Sequence, residues 1–453
     1  MYGMCDLCDL TECEMERDTF EIIRRHLEKY PESEPRDIVK LLYQSCFGCG
    51  HMIKDRESAY KMLEAEYDSA IKGGYADVPE EYGDASGIAH GAISKTAAKK
   101  TGKAIREIDR IAYRPSVDIG GGYTRVNIAA LKRDELKALS DIFAASAAPA
   151  SEKQNRMFER SLDLLCEYTA KKSIPARFDW EAFCSFLSEY RKICAGCDEN
   201  KGLACVNDGI TASGENCCAV GFSAGFSGGF AYYPPIGHSE RYRELYSPHY
   251  RVVRREYFYY FDIIKAVGDC LSRYKNPIIS IDGRCGSGKS TAAAVLSDVF
   301  GIQIVKADDF FLTPEQRTED RLNEPGGNLD RERLEREVLI PLSLAAGDDD
   351  HTEFPYRPYI CRKGGFGEPI SALKGVPTLV EGSYSQHPEL AMYYSLKIFM
   401  SCNSDIQLER IERRNGKAAL EVFRNRWIPL EEKYFSHFAI PCKADLVFES
   451  ADL

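Results

Sequence analysis

The stretch IDGRCGSGKST, Ile281 to Thr291, decides how the second half of this chain folds. Gly283-Arg284-Cys285-Gly286-Ser287-Gly288-Lys289-Ser290 satisfies the pattern G-x-x-x-x-G-K-[ST]. Its glycines let backbone N–H groups converge on phosphate oxygens, and the helix that begins there adds the positive end of its dipole. The expected cradle is Gly283, Gly286, Ser287, Gly288, Lys289, Ser290 and Thr291. Lys289 is placed on the β and γ phosphates of ATP or GTP, and Ser290 on a magnesium ion. The apolar run Ile278 to Ile281 before the loop and the helical pattern after it are the context this motif requires.

Outward from the loop the chain alternates. Short apolar runs recur at Ile302 to Val305, Thr378 to Val380, Leu396 to Met400 and Leu446 to Phe448, with helical segments between some of them. Buried strands alternating with helices predict an α/β fold, a parallel sheet covered on both faces in the three-layer P-loop arrangement. Carboxylates at the ends of such strands emerge where ligands of open α/β sheets bind. Asp308 and Asp309 close the second strand and Glu381 the third. Asp308 is placed to accept the proton of an acceptor hydroxyl or to touch the metal, and Glu381 to face the magnesium. The arginines of RIERRNG, Arg410 to Gly416, suit a lid that closes on a transferring phosphate, and equally a solvated basic helix face.

GRCGSGKST, KADDFF, EGSY and RIERRNG followed by RNRWIPLEEKYF occur in an order that resembles the uridine kinase and phosphoribulokinase family of small-molecule P-loop kinases. The resemblance runs from about Asn276 to the C-terminus. It implies transfer of the γ-phosphate of ATP, with Mg²⁺, to a hydroxyl of a nucleoside, riboside or sugar phosphate. By motif it implies Asp308 as the acid that acts on the acceptor, Glu381 beside magnesium, and Arg410, Arg413 and Arg414 in the lid; Lys289, Arg413 and Arg414 then assist Asp308 in catalysis. ADDFFLTPE is also similar to the matching stretch of nicotinamide riboside kinases.

The chain departs from uridine kinases in FPYRPYICRKG, Phe354 to Gly364. Where those enzymes have a tyrosine, an aspartate and a phenylalanine followed by a histidine, this chain has Tyr356, Arg357 and Pro358, with Cys361 near the histidine position. Asp309, Tyr356, Arg357 and Arg362 are the expected acceptor contacts, the guanidinium forks suiting a small-molecule acceptor that carries an anionic group.

The first half reads mainly helical, with apolar periods in TFEIIRRHLEKY, EPRDIVKLLYQS and RESAYKMLEAEYDSAIKGG and again over Arg133 to Phe143, Glu152 to Tyr168 and Trp180 to Ile193. IGGGYTRVNI predicts a glycine turn before a short strand. Glu199 to Pro235 is rich in Gly, Ser, Ala, Cys and Asn and reads as a loop or linker. The expected organisation is a helical domain over 1–198, a linker over 199–245, and a kinase domain over 246–453 led in by an aromatic-rich connector and a helix ending near Arg273.

Over 453 residues the net charge is -11, which argues against a broad nucleic-acid surface, and a start rich in acids and cysteines lacks an export signal. Seventeen cysteines in such a chain predict reduced thiols and a cytoplasmic setting. Cys217 to Ile236 is uncharged, but its glycines and prolines make a poor membrane helix. Cys5-x-x-Cys8, Cys46-x-x-Cys49 and Cys194-x-x-Cys197, with His51, have the spacing of zinc ligands and equally of scattered buried thiols. His238 and His249 are further candidates for ligands or acid–base groups, and a homo-oligomer fits the composition as well as a monomer does. A reading of a different class also stands: a nucleotide-binding regulatory switch coupled to a helical sensor or interaction domain.

Overall fold

The computed structural model of the chain describes residues 12–48, 55–72, 116–147, 151–177, 180–196, 233, 235–345 and 351–451. The chain divides into two compact units, Met1–Phe258 and Tyr259–Leu453. Cys5, Cys8, Cys49, Cys197, His51 and nearly all of the Gly/Ser/Cys-rich segment lie outside the described residues.

The first unit is built on helices α1 (Glu12–Lys29), α2 (Pro35–Phe47), α3 (Arg56–Lys72), α4 (Leu136–Ala145), α5 (Glu152–Ala170), α6 (Trp180–Gly196) and α7 (Glu240–Tyr246). Residues spaced three and four apart on α1, α2, α5 and α6 meet in one core: Ile23, Leu27, Ile38, Leu42, Phe158, Leu162, Phe183 and Leu187. An antiparallel sheet of β1 (Ser116–Gly120), β2 (Tyr123–Asn127) and β3 (Tyr250–Arg254) completes the unit, β2 in the middle. Gly121 turns the β1–β2 hairpin at φ 60°, and a Cβ there would stand 1.7 Å from the Ser45 carbonyl oxygen.

Tyr250–Arg254, which the sequence pattern places in a connector, is thus a strand of the first unit. Its two adjacent valines, Val252 and Val253, show no period-two alternation that would stand out beside the surrounding aromatics, and the partner strand lies over a hundred residues upstream.

In the second unit α8 (Phe261–Arg273) precedes β4 (Ile278–Gly283), the loop, α9 (Lys289–Phe300) and β5 (Gln303–Lys306). Two small hairpins follow, pairing β6 (Glu353–Tyr356) with β9 (Ile370–Leu373) and β7 (Tyr359–Ile360) with β8 (Gly365–Phe366). The chain then forms β10 (Thr378–Glu381), β11 (Leu396–Cys402), α10 (Ser404–Asn415), α11 (Ile428–Phe438) and β12 (Leu446–Ser450).

The main sheet runs β12-β11-β4-β10-β5, all parallel, so the five predicted apolar runs are its five strands. β4 and β10 are buried along their whole length, as strands covered on both faces must be. Helix α9 packs on β4, β10 and β5, and α8 on β11 and β12. This is the α/β P-loop fold. Register places Glu381 level with Ile281 on one side and Lys306 on the other, which brings the ends of β4, β5 and β10 to one edge.

Candidate functional site

The loop after β4 is held open by close approaches that only glycine tolerates. Gly283 has φ 143°, and a Cβ there would lie 1.9 Å from the Met400 carbonyl oxygen. Gly382, just past β10 at φ 141°, passes so close to Ala307 that a Cβ would stand 2.8 Å from the alanine side chain. The amides of Lys289, Ser290 and Thr291 open α9, where helix geometry leaves first-turn N–H groups without intrahelical acceptors. The Ser287 hydroxyl oxygen is fully buried and has no hydrogen-bond partner.

Side chains from two helices, α10 and α11, support the loop from outside. Glu431 on α11 accepts from the Cys285 amide at 2.9 Å and from the Ser383 hydroxyl at 2.6 Å. Glu432 pairs with the Arg284 guanidinium at 2.5 Å, and Gln407 on α10 donates to the Cys285 carbonyl at 2.9 Å. Beneath the loop Asp282, fully buried, accepts from the amides of Gly283, Tyr384 and Gln386 and from the Tyr434 hydroxyl. Burial nevertheless pushes its carboxyl up to about 6.

Lys289 is buried, and its ammonium donates to the carbonyls of Gly283 at 2.7 Å and Arg284 at 2.9 Å, which holds it inside the loop. The Ser290 hydroxyl donates to Glu381, 3.3 Å from each carboxylate oxygen. Burial raises the carboxyl of Glu381, and the charge of Asp308 raises it further. Desolvation also raises Asp308, against the opposing pull of Lys289, Arg414 and Lys306. Asp308 is nonetheless open to solvent. Two carboxylates and a hydroxyl beside one another form a hard-oxygen donor set of the kind a small divalent cation takes. The residues present therefore fit a magnesium ion.

In the structure Lys289, Ser290, Asp308 and Glu381 lie near one another, and the charge of Arg414 acts on Asp308. The other expected residues lie as follows. Arg410 is part of the loop's support: its guanidinium donates to the Gly286 carbonyl at 3.1 Å and to Ser450 at 2.9 Å. Arg413 is exposed, 3.9 Å from Glu409 on its own helix, and Thr291 is exposed on α9. Asp309 turns toward Tyr356, whose hydroxyl it pushes up, the larger cause there being burial. The Arg357 side chain donates to the Gly367 carbonyl at 3.2 Å, and Arg362 is exposed in the turn between β7 and β8.

Residues absent from the sequence reading lie around Asp308 and the β6–β9 hairpins. Arg333, buried, donates to the carbonyls of Arg357 at 2.6 Å and Asp309 at 2.7 Å and lies 4.4 Å from the Phe310 ring centre. It ties the β6–β7 segment to the turn that carries Asp308. Arg317 stands 5.9 Å from the Tyr359 ring centre and, with Asp308, acts electrostatically on the Cys361 thiol, placing that thiol on the Asp308 side of the hairpin. Their signal in the sequence is weak, because long separations between partners leave no local pattern.

Among the described residues no group of three or more His, Cys, Asp and Glu side chains is arranged to hold a metal ion, and the Cys46 thiol is pushed up to about 12 by burial, far from a thiolate ligand. Among the same residues no helix is long and apolar enough to cross a membrane.

An α/β unit of the P-loop class, with a loop of the kind that cradles nucleotide phosphates, is what this fold and sequence motif define. No protein-family model and no curated protein matches the chain. Among solved structures, the chain is similar to a protein described as a possible uridine kinase from Bacillus stearothermophilus, at 16% identity, covering 40% of this chain and 96% of that one with a TM-score of 0.30. It is similar also to one described as a fructose transport system kinase from Silicibacter sp. TM1040, at 19% identity, covering 40% and 97% with a TM-score of 0.30.

Proposed function

We propose that the second unit is an ATP-dependent kinase that transfers the γ-phosphate to a hydroxyl of a small molecule of nucleoside, riboside or sugar-phosphate type. One observation carries the reading: Lys289, Ser290, Glu381 and Asp308 converge at the ends of β4, β10 and β5, with Asp308 open to solvent. A solvent-open carboxylate beside the cradle stands where an acceptor hydroxyl would give up its proton, which favours transfer over nucleotide binding alone.

In this reading the loop amides and Lys289 bind the phosphates of the nucleotide substrate. Ser290 and Glu381, with Asp308 beside them, would hold Mg²⁺, which neutralises charge building on the phosphate oxygens. Asp308 takes the proton as the acceptor oxygen bonds to the γ-phosphorus and the bond to the bridging oxygen of ADP breaks. Arg414, whose charge reaches Asp308, is placed to stabilise the transferring group.

The test is ATP consumption with magnesium against nucleosides, ribosides and sugar phosphates, with the Lys289→Ala protein as background. An acceptor that raises turnover well above background supports the reading. ATP binding with no acceptor-dependent turnover would instead favour a regulatory switch.

A further inference from the structure

The chain that leaves Asp308 makes a closed loop before it returns to the core. Phe311 bridges Leu329, the Leu312 amide donates to the Asn328 carbonyl at 3.3 Å, and the Asp330 amide donates to the Phe310 carbonyl at 2.7 Å. Both ends of the loop are therefore fixed beside the Ala307–Phe310 turn that carries Asp308. Arg317, exposed, lies near the start of this loop. Its Nε donates to the Leu312 carbonyl at 3.1 Å, and its guanidinium carbon stands 5.9 Å from the Tyr359 ring centre. Tyr359 belongs to β7, which packs against the same Ala307–Phe310 turn, and buried Arg333 holds the two together by joining the carbonyls of Arg357 and Asp309.

An arginine anchored through Nε keeps both of its amino groups for a ligand. Among the described residues no oxygen accepts from Nη1 or Nη2 of Arg317, and Arg317 pairs with no carboxylate. The guanidinium meets the Cys361 thiol in the turn after β7, and the charge of Asp308 acts on that same thiol. A thiol is a weak acceptor and compensates a guanidinium poorly.

The cations around it are unpaired in the same way. Among the described residues Arg357, Arg362 and Lys363 of this hairpin form no ion pair; Arg357 uses its Nε on the Gly367 carbonyl at 3.2 Å, and Arg362 and Lys363 are exposed. The acids of the loop are directed elsewhere. Glu315 turns to its own backbone and to Thr313, Glu319 and Asp320 lie in the first turn of a helical segment, and Glu324 and Glu332 are engaged by Arg321 and Arg331. Asp308 itself and Glu368, just past β8, are the acids that oppose four cations, in a chain whose net charge is -11. Two parallel N–H groups on a fixed guanidinium match the paired oxygens of a phosphate or a carboxylate.

We propose that the acceptor carries a phosphate or carboxylate, and that Arg317 holds this group through Nη1 and Nη2 while the hydroxyl to be phosphorylated meets Asp308. This rests on the transfer reading above and narrows its substrate class. Sugar phosphates, hydroxy acids and nucleotides are taken in preference to neutral nucleosides and ribosides, which leave the fork without a partner. Arg317 is the residue that sets this preference, since the Nε of Arg357 is engaged by the chain itself.

Binding and transfer are tested separately. Without nucleotide, Cys361 of the full-length protein is alkylated with iodoacetamide and followed by mass spectrometry, with Cys442, exposed in the same unit, as the reference thiol. Ribose 5-phosphate or glycerate should slow Cys361 saturably by about fivefold or more, and ribose and glycerol by less than about twofold; ribose 5-phosphate reports a fork that reads phosphate and glycerate one that reads carboxylate. Arg317→Gln should remove the protection while the Cys442 rate stays constant. Anion bound at the loop after β4 would instead protect both proteins equally. In the second arm the acceptor found by ATP consumption is compared with its counterpart lacking or bearing the anionic group. The anionic member should have a kcat/KM about a hundredfold higher or more, and Arg317→Gln should lower that value by about thirtyfold, chiefly through KM.

No protection by either anion, or equal protection in the Arg317→Gln protein, overturns the proposal. A neutral acceptor used as efficiently as its anionic counterpart also overturns it and leaves the transfer reading in place. Protection that depends on Arg317, with no acceptor-dependent ATP consumption, supports the anion subsite and overturns the transfer reading.

Discussion

The Ser290 hydroxyl stands 3.3 Å from both carboxylate oxygens of Glu381, at the level where β10 and α9 meet the phosphate loop. A hydroxyl pointed at a buried carboxylate is an arrangement that a hard cation can enter by replacing one hydrogen bond with two metal–oxygen contacts. Glu381→Gln removes the charge and keeps the shape. The free Mg²⁺ needed for half-maximal ATP turnover should rise by about tenfold or more in that protein. An unchanged magnesium titration would remove Glu381 from the metal region.

Substitutions at Asp308 and Lys289 should separate binding from transfer. Lys289→Ala takes the ammonium out of the loop, so nucleotide affinity and turnover should fall together. Asp308→Asn should leave nucleotide affinity within about threefold by equilibrium dialysis and reduce acceptor-dependent turnover by about a hundredfold or more, the usual scale for loss of a proton-transfer group. Desolvation raises the Asp308 carboxyl, so the acidic limb of the rate profile should lie above the ordinary aspartate range, with rate falling as pH drops through it. An active Asp308→Asn protein sinks the assignment.

The parallel sheet and the loop could be read from the chain because their signals are local. β4 is a run of apolar residues next to the glycines that follow it, and Asp308 and Glu381 sit within three residues of their strand ends. What could not be read depends on partners distant in sequence. Glu431 reaches Cys285 across 146 positions, His238 reaches Asp37 across 201, and β3 pairs with a strand more than a hundred residues earlier. A buried polar side chain also looks like any surface one until its partners are known, which is why Arg333 and Asp282 carried no signal. The hairpins of β6 to β9 were missed for another reason: two of their strands are only two residues long.

Three arginines within five residues should give three different results. Arg410 connects the Gly286 carbonyl to Ser450 beside the end of the sheet, so Arg410→Ala should raise KM for ATP by about tenfold and lower the melting temperature. Arg414, whose charge acts on Asp308, should when replaced by alanine lower kcat with little change in KM for ATP. Arg413 is exposed, and Arg413→Ala should leave thermal stability unchanged. Equal losses in all three would mean that the arginines act together as a lid and that the bond from Arg410 to the loop is incidental.

Asp282 gives a pH dependence whose sign is fixed by its direction of shift. Its carboxyl lies near 4 in an unfolded chain and is pushed up to about 6 in the fold by burial, against the pull of four hydrogen-bond donors and Lys289. The folded protein therefore holds this proton more tightly than the unfolded chain does, and the stabilisation it contributes is present below pH 4 and lost as pH rises through about 6. Asn cannot ionise, so Asp282→Asn lacks that loss, whatever its own stability at pH 4. The melting temperature of the variant minus that of the wild type should increase between pH 4 and 6.5, by on the order of 5 °C if the full shift is expressed. Glu381 and Asp308 are raised as well and contribute in the same direction, but they are common to both proteins and cancel in the difference. A difference that stays flat across the window would mean that the four donors hold Asp282 ionised at all these pH values, and that the buried anion is part of what supports the loop.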